Sequence, residues 1–133
     1  MIVYKLKEDI EKIKNVQRAT QTTDDFGIEP THGMFGSDEW WGNIESGKLS
    51  TETVQGKITK VYMAGMNDWP EFKMMDESGA VSSWTRETNF VEQDQLYRIG
   101  AAIEIDYVWQ SHRPKSFSQG AKVKQVIEIR IAN

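Results

Sequence analysis

Cysteine is absent from the 133 residues. That excludes disulfides, thiolate metal sites, iron–sulfur clusters and cysteine nucleophiles, and it fits a reducing compartment. Long apolar runs are absent too, and a membrane-spanning helix needs about 20 consecutive apolar residues. Lys and Glu punctuate residues 1–15, where a signal peptide carries an apolar stretch. The expectation is a cytoplasmic protein without membrane contact. Histidine is scarce: His32 and His112 stand far apart, and neither belongs to a metal-binding spacing. No GxSxG, Walker A or GxGxxG pattern occurs, so hydrolase, nucleotidase and dinucleotide readings have no support. Adjacent carboxylates do occur at Asp24-Asp25, Asp38-Glu39 and Asp76-Glu77, but adjacency does not aim side chains into one site. The expectation is a chain without catalysis, cofactor or metal.

What is present is an ordinary single-domain composition, with 38% hydrophobic and 27% charged residues and a mean hydropathy of −0.59. A chain of this size hides roughly two-thirds of its unfolded surface, enough for one core without staples. The net charge of −4 is local. Residues 1–53 carry 6 basic and 10 acidic side chains, while 54–133 carry 10 of each. Between Gln110 and Lys124, Arg113, Lys115, Lys122 and Lys124 stand without any Asp or Glu. Such a local excess attracts a polyanion, because carboxylates beyond about 8–10 Å are screened at physiological salt.

Along the chain, Leu6, Ile10, Ile13 and Val16 recur at helical spacing within Lys5 to Ala19 and predict a surface helix with one apolar stripe. Residues Thr20 to Gly36 lose that periodicity and gather Thr, Asp, Gly and Pro, as an irregular arm does. In SDEWWGNIES, Ser37 is a helix N-cap, Asp38 and Glu39 favour the first turn, and Gly47 follows the end. Trp40 and Trp41 are expected to plug one end of the core.

From Thr53 the period changes to two. Strands are expected over Thr53 to Ala64, interrupted at Gly56 by a bulge or bend, and over Glu71 to Glu77. Ser78-Gly79 turns into a third strand, Ala80 to Glu87, with Val81 inward and Trp84 and Arg86 outward. Thr88 to Ile99 suits a loop and a short helix. Ala101 to Trp109 places Ile103, Ile105, Tyr107 and Trp109 on one face, and Val123 to Ala132 is expected to be mostly buried. The fold class expected is mostly β. Residues 1–52 form the N-terminal helix, arm and Trp-containing helix, and residues 53–133 form the β part of one structural domain.

The glycine-interrupted VQGKITKV, the EFKMMDESG hairpin, the spacer ending at Gly100 and the strand GAAIEIDYVW follow each other in a known order. In that order and spacing, residues 53–132 resemble an OB-fold, a small five-stranded Greek-key barrel with N-terminal helical additions. The resemblance implies a binding face on the second and third strands, flanked by two loops. Lys73 and Met75 would project from it beside Trp84 and Arg86. Trp69 lies in one flanking loop, and Arg113, Lys115, Phe117, Lys122 and Lys124 in or beside the other. An exposed aromatic beside cations fits single-stranded nucleic acid, because each base stacks for about 1–3 kcal/mol. A non-enzymatic module for single-stranded nucleic acid is therefore the first expectation. The alternative is a protein- or peptide-interaction module. It would use the acidic, aromatic segment DDFGIEPTHGMFGSDEWW or an exposed barrel edge. The oligomeric state is not fixed by the sequence.

Overall fold

A computed structural model describes residues 1–22, 27–28, 30–111 and 122–132. Six strands form one antiparallel-paired sheet: β1 (Ile2–Lys5), β2 (Thr51–Ala64), β3 (Trp69–Asp76), β4 (Val81–Thr85), β5 (Ala102–Ser111) and β6 (Lys122–Ile131). Their order is β1-β6-β5-β2-β3-β4. Two helices, α1 (Ile10–Thr22) and α2 (Asp38–Glu45), lie between β1 and β2 in sequence. The mostly-β expectation holds, with one more strand than the five expected. The short apolar lead Ile2-Val3-Tyr4 is that strand, pairing Tyr4 with Ile129 and Lys5 with Glu128.

The chain divides into two compact units. One comprises Met1–Lys5, Thr53–Asp106 and Glu128–Asn133, the other Leu6–Glu52 and Tyr107–Ile127. In the first unit Ile58, Phe72, Met74, Ile105 and Ile129 are fully buried, and Val3, Tyr4, Trp84, Tyr97, Ile103 and Ile131 complete its core. Tyr97 closes it from the Val91–Leu96 3-10 helix: its ring lies 5.1 Å from that of Phe72, and its hydroxyl donates to the Glu87 carbonyl at 2.5 Å. Burial drives the Tyr97 phenol far above its ordinary pKa.

Two local features set the β2–β3–β4 register. At Gly56 an added Cβ would overlap the carbonyl oxygen of Met75, so only glycine permits this approach of β2 to β3. The register itself shifts two residues later, between Ile58 and Lys60, as a bulge does. Between β3 and β4 the Asp76 carboxylate accepts from the Ser78 hydroxyl at 2.6 Å, the Ser78 amide at 2.9 Å and the Ala80 amide at 3.1 Å. Those bonds, the Ser78 hydroxyl foremost, hold the Asp76 carboxyl below the usual range. Gly79, at φ +87°, completes the turn.

The second unit is built around Trp40, which is fully buried. Ser37 caps α2 by accepting from the Trp40 amide at 3.2 Å. The Trp40 indole donates to Gln110 at 3.1 Å, and its ring lies 4.8 Å from both Phe35 and Trp41. In α1 the expected stripe is only partly used. Leu6 belongs to a separate 3-10 turn, Ile13 is buried, Val16 is half-buried, and Ile10 is 54% exposed. In β6 only Ile129 and Ile131 are fully buried, fewer than its Ile and Val content led one to expect.

Candidate partner-binding face

Side chains of residues paired across an antiparallel ladder share a face. Phe72 and Met74 are fully buried and pair with Trp84 and Ser82, so those two also point inward. Trp84 is 6% exposed, and its indole donates to the Ser82 hydroxyl at 2.7 Å. Val81, paired with Met75, points out and is 54% exposed. The expected outward projection of Trp84 is therefore corrected. Alternation along β4 separates its two faces correctly but was assigned the wrong way round: Met74 and Phe72 stand opposite Ser82 and Trp84, so it is the Val81–Ser83–Thr85 face that turns outward. Arg86 is corrected likewise. Its side chain is 9% exposed, and its guanidinium donates to the carbonyls of Tyr62 at 3.2 Å and Glu71 at 3.1 Å and pairs with Asp94 at 3.3 Å.

What β2, β3 and β4 present outward forms three rows. Lys57, Met75 and Val81 make the first, Lys60, Lys73 and Ser83 the second, and Tyr62, Glu71 and Thr85 the third, with Trp69 beyond it. Met75 is 44% and Trp69 55% exposed. Trp69 is held upright by its indole, which donates to the Thr85 hydroxyl at 3.1 Å. Tyr62 donates to the Glu71 carboxylate at 2.8 Å, and the Lys60 ammonium lies 4.9 Å from the Tyr62 ring. Three ammonium groups thus face solvent beside one carboxylate, which already serves Tyr62. Apolar side chains mark both ends of the patch.

The β5–β6 part of the same unit has the opposite sign. Arg130 donates to Glu104 at 2.6 Å, to both oxygens of Asp106 at 2.9 Å, and to Glu128 at 2.5 Å. Thr53 adds a bond to Asp106 at 2.7 Å, and Gln55 one to Glu104. Hydrogen bonding from Arg130 first, and from Thr53 next, holds the Asp106 carboxyl below its ordinary range, and the three carboxylates drive the Arg130 pKa upward. Three carboxylates against one guanidinium leave this zone negative. Nearby, Gly56, Met75, Ile103 and Ile131 contribute to a largely apolar cleft of about 750 Å³.

A family model described as Immunity protein RhsI2 matches residues 1–132. The chain belongs to this family. No curated protein matches it. An immunity protein takes a protein partner, so the expectation of single-stranded nucleic acid as ligand is overturned and the protein-partner alternative stands in its place.

For an RhsI2-family chain the residues singled out from sequence fall into separate places. Trp69 and Lys73 share the outward face of β2–β4, while Trp84 and Arg86 lie inside that unit. Lys122 and Lys124 belong to the second unit, where the Lys124 ammonium lies 5.4 Å from the Tyr107 ring and 5.5 Å from the Trp109 ring. Those rings meet edge to face at 5.9 Å, with Trp109 42% exposed. Burial, then the neighbouring Glu52, raises the Tyr107 phenol. Arg113, Lys115 and Phe117 lie outside the described residues, as does part of the acidic segment DDFGIEP. Sequence reading passed over Lys57, Lys60, Tyr62 and the exposure of Val81. It also passed over the Arg130 cluster, whose signal is the repeated Ile-Glu-Ile of IEID and IEIR in β5 and β6.

Proposed function

We propose that the chain is the inhibitory half of a toxin–immunity pair, binding an Rhs toxin in the cytoplasm and neutralising it by occupying its surface rather than by chemistry of its own. The observation that carries this reading is the family match over residues 1–132. The geometry supports it: the first unit offers a sheet face with separate positive and negative zones. Charge complementarity of that kind steers a protein partner and fixes its register. A stable complex of this type buries about 1,200–2,000 Å² in total.

The test pairs the purified chain with its purified cognate Rhs toxin. Expected are a complex on size exclusion, a saturable heat of binding by calorimetry, and survival of toxin-expressing cells when the chain is co-expressed. Absence of both complex and protection at concentrations on the order of tens of micromolar, where binding weaker than about 6 to 7 kcal/mol would go undetected, overturns the proposal.

A further inference from the structure

The two ends of the sheet are treated differently. At the β1 end, the Asn89 side chain bonds both the amide of Lys5, at 2.7 Å, and its carbonyl, at 3.1 Å. The Asn89 amide donates to the Val3 carbonyl at 3.2 Å, and Gln93 reaches the Ile2 carbonyl at 3.5 Å. That edge is closed. At the other end, the Asp76 amide donates to the Ala80 carbonyl, and the Arg86 amide to the Pro70 carbonyl, both at 3.0 Å. These two bonds fix the alternation of the β3–β4 ladder. Met74–Ser82 and Phe72–Trp84 are the hydrogen-bonded pairs, and Met75–Val81 and Lys73–Ser83 are the non-bonded ones. The amides and carbonyls of Val81 and Ser83 therefore point away from β3, off the last strand of the sheet. Among the described residues, none bonds them.

Proteins protect such edges with very short strands, charged residues, proline, bulges or a covering segment, and at five residues β4 is of ordinary strand length. The β4 sequence Val-Ser-Ser-Trp-Thr contains no charge and no proline, and its pairing with β3 has no bulge. We infer that β4 is the docking edge for the toxin. An extended segment of the toxin would add as a seventh strand, with an apolar side chain beside Val81 and carboxylates toward Lys73. This inference rests on the function proposed above and adds the surface and the chemistry of the partner. Strand addition draws affinity from main-chain bonds and specificity from alternate side chains. Here the small Ser83 stands between Lys73 and an incoming strand, so the ammonium can lean across it. No carboxylate among the described residues pairs with Lys57, Lys60 or Lys73. A second copy of this chain would bring the same positive rows with it, whereas an acidic segment complements them.

The experiment is residue-resolved amide hydrogen exchange of the whole chain, free and in complex with the purified Rhs toxin. Expected is fast exchange at Val81 and Ser83 in the free protein and at least about tenfold slower exchange in the complex. Ser83→Pro removes an outward amide that the fold does not use. It should weaken toxin binding by at least about tenfold, or 1.4 kcal/mol, with an unchanged melting temperature. Lys73→Glu should weaken binding and reduce its salt sensitivity. A wild-type complex in which Val81 and Ser83 exchange as freely as before overturns the inference and leaves the function standing. Protection that appears without toxin as protein concentration rises assigns the edge to a second copy and also overturns it. A wild-type chain that binds no toxin overturns both.

Discussion

Replacing Trp84 by alanine tests the inverted face of β4 directly. The indole is 6% exposed, sits across the ladder from the fully buried Phe72, and donates its only hydrogen to Ser82. Truncating a buried Trp costs about 3–5 kcal/mol through lost transfer energy and the cavity left behind. For 133 residues the entropy of unfolding is about 0.28 kcal/mol/K. Each kcal/mol then moves the melting temperature by about 3–4 °C, and the variant should melt about 10–18 °C lower. Trp69→Ala is the internal control. That side chain is 55% exposed and makes one bond, to Thr85, so its loss should cost less than about 1 kcal/mol. The assay is thermal unfolding of both variants by circular dichroism under identical conditions. A Trp84→Ala melting point within a few degrees of wild type, or a Trp69→Ala loss equal to it, would refute the inward facing of Trp84.

Gly56→Ala must push Met75 and its strand aside, and should lower stability by about 1–3 kcal/mol, read from the denaturant midpoint. Asn89→Ala leaves the Lys5 amide and carbonyl without partners. It should cost about 1–3 kcal/mol and speed hydrogen exchange at Lys5. The Asp106 carboxyl titrates below its unfolded value because Arg130 and Thr53 bond its charged form. Its contribution is therefore present above the unfolded pKa and fades as the pH falls through the folded one. Asp106→Asn should accordingly destabilise the protein at pH 7 but little at pH 2, and a variant equally destabilised at both would contradict the assignment. Ser37→Ala removes the α2 cap and should cost about 1 kcal/mol by the same denaturant assay.

The parts of the fold that a sequence shows are those decided locally. The Ser37 cap needs only the next three residues, so α2 is legible almost to its ends. The Asp76–Gly79 turn is equally local, and the hairpin it makes is where the sequence puts it. Facing is another matter. Alternation reads Val81-Ser83-Thr85 and Ser82-Trp84-Arg86 as two faces but does not say which is buried, and the answer comes from Phe72 and Met74 across the ladder. In β5 a single stripe, Ile103-Ile105-Tyr107-Trp109, looks continuous, yet the buried set is Ile103, Ile105, Val108 and Gln110. The phase changes where the strand passes from one unit to the other. The first strand was invisible for a simpler reason: its partner, β6, stands at the far end of the chain. The protein-partner class comes from the family match over residues 1–132, and no short motif in the chain carries it.

The open edge of β4 also bears on how the protein survives while it waits. An edge able to accept a foreign strand accepts misfolded ones too, so an immunity protein held in reserve risks aggregation in proportion to its own abundance. With five residues, β4 offers few bonds to a casual partner, and on the docking proposed above the lysine row adds what those bonds lack. On the docking proposed above, Val81→Lys would make the free protein more soluble on storage and weaken its hold on the toxin, so shelf life and potency pull against each other at a single side chain.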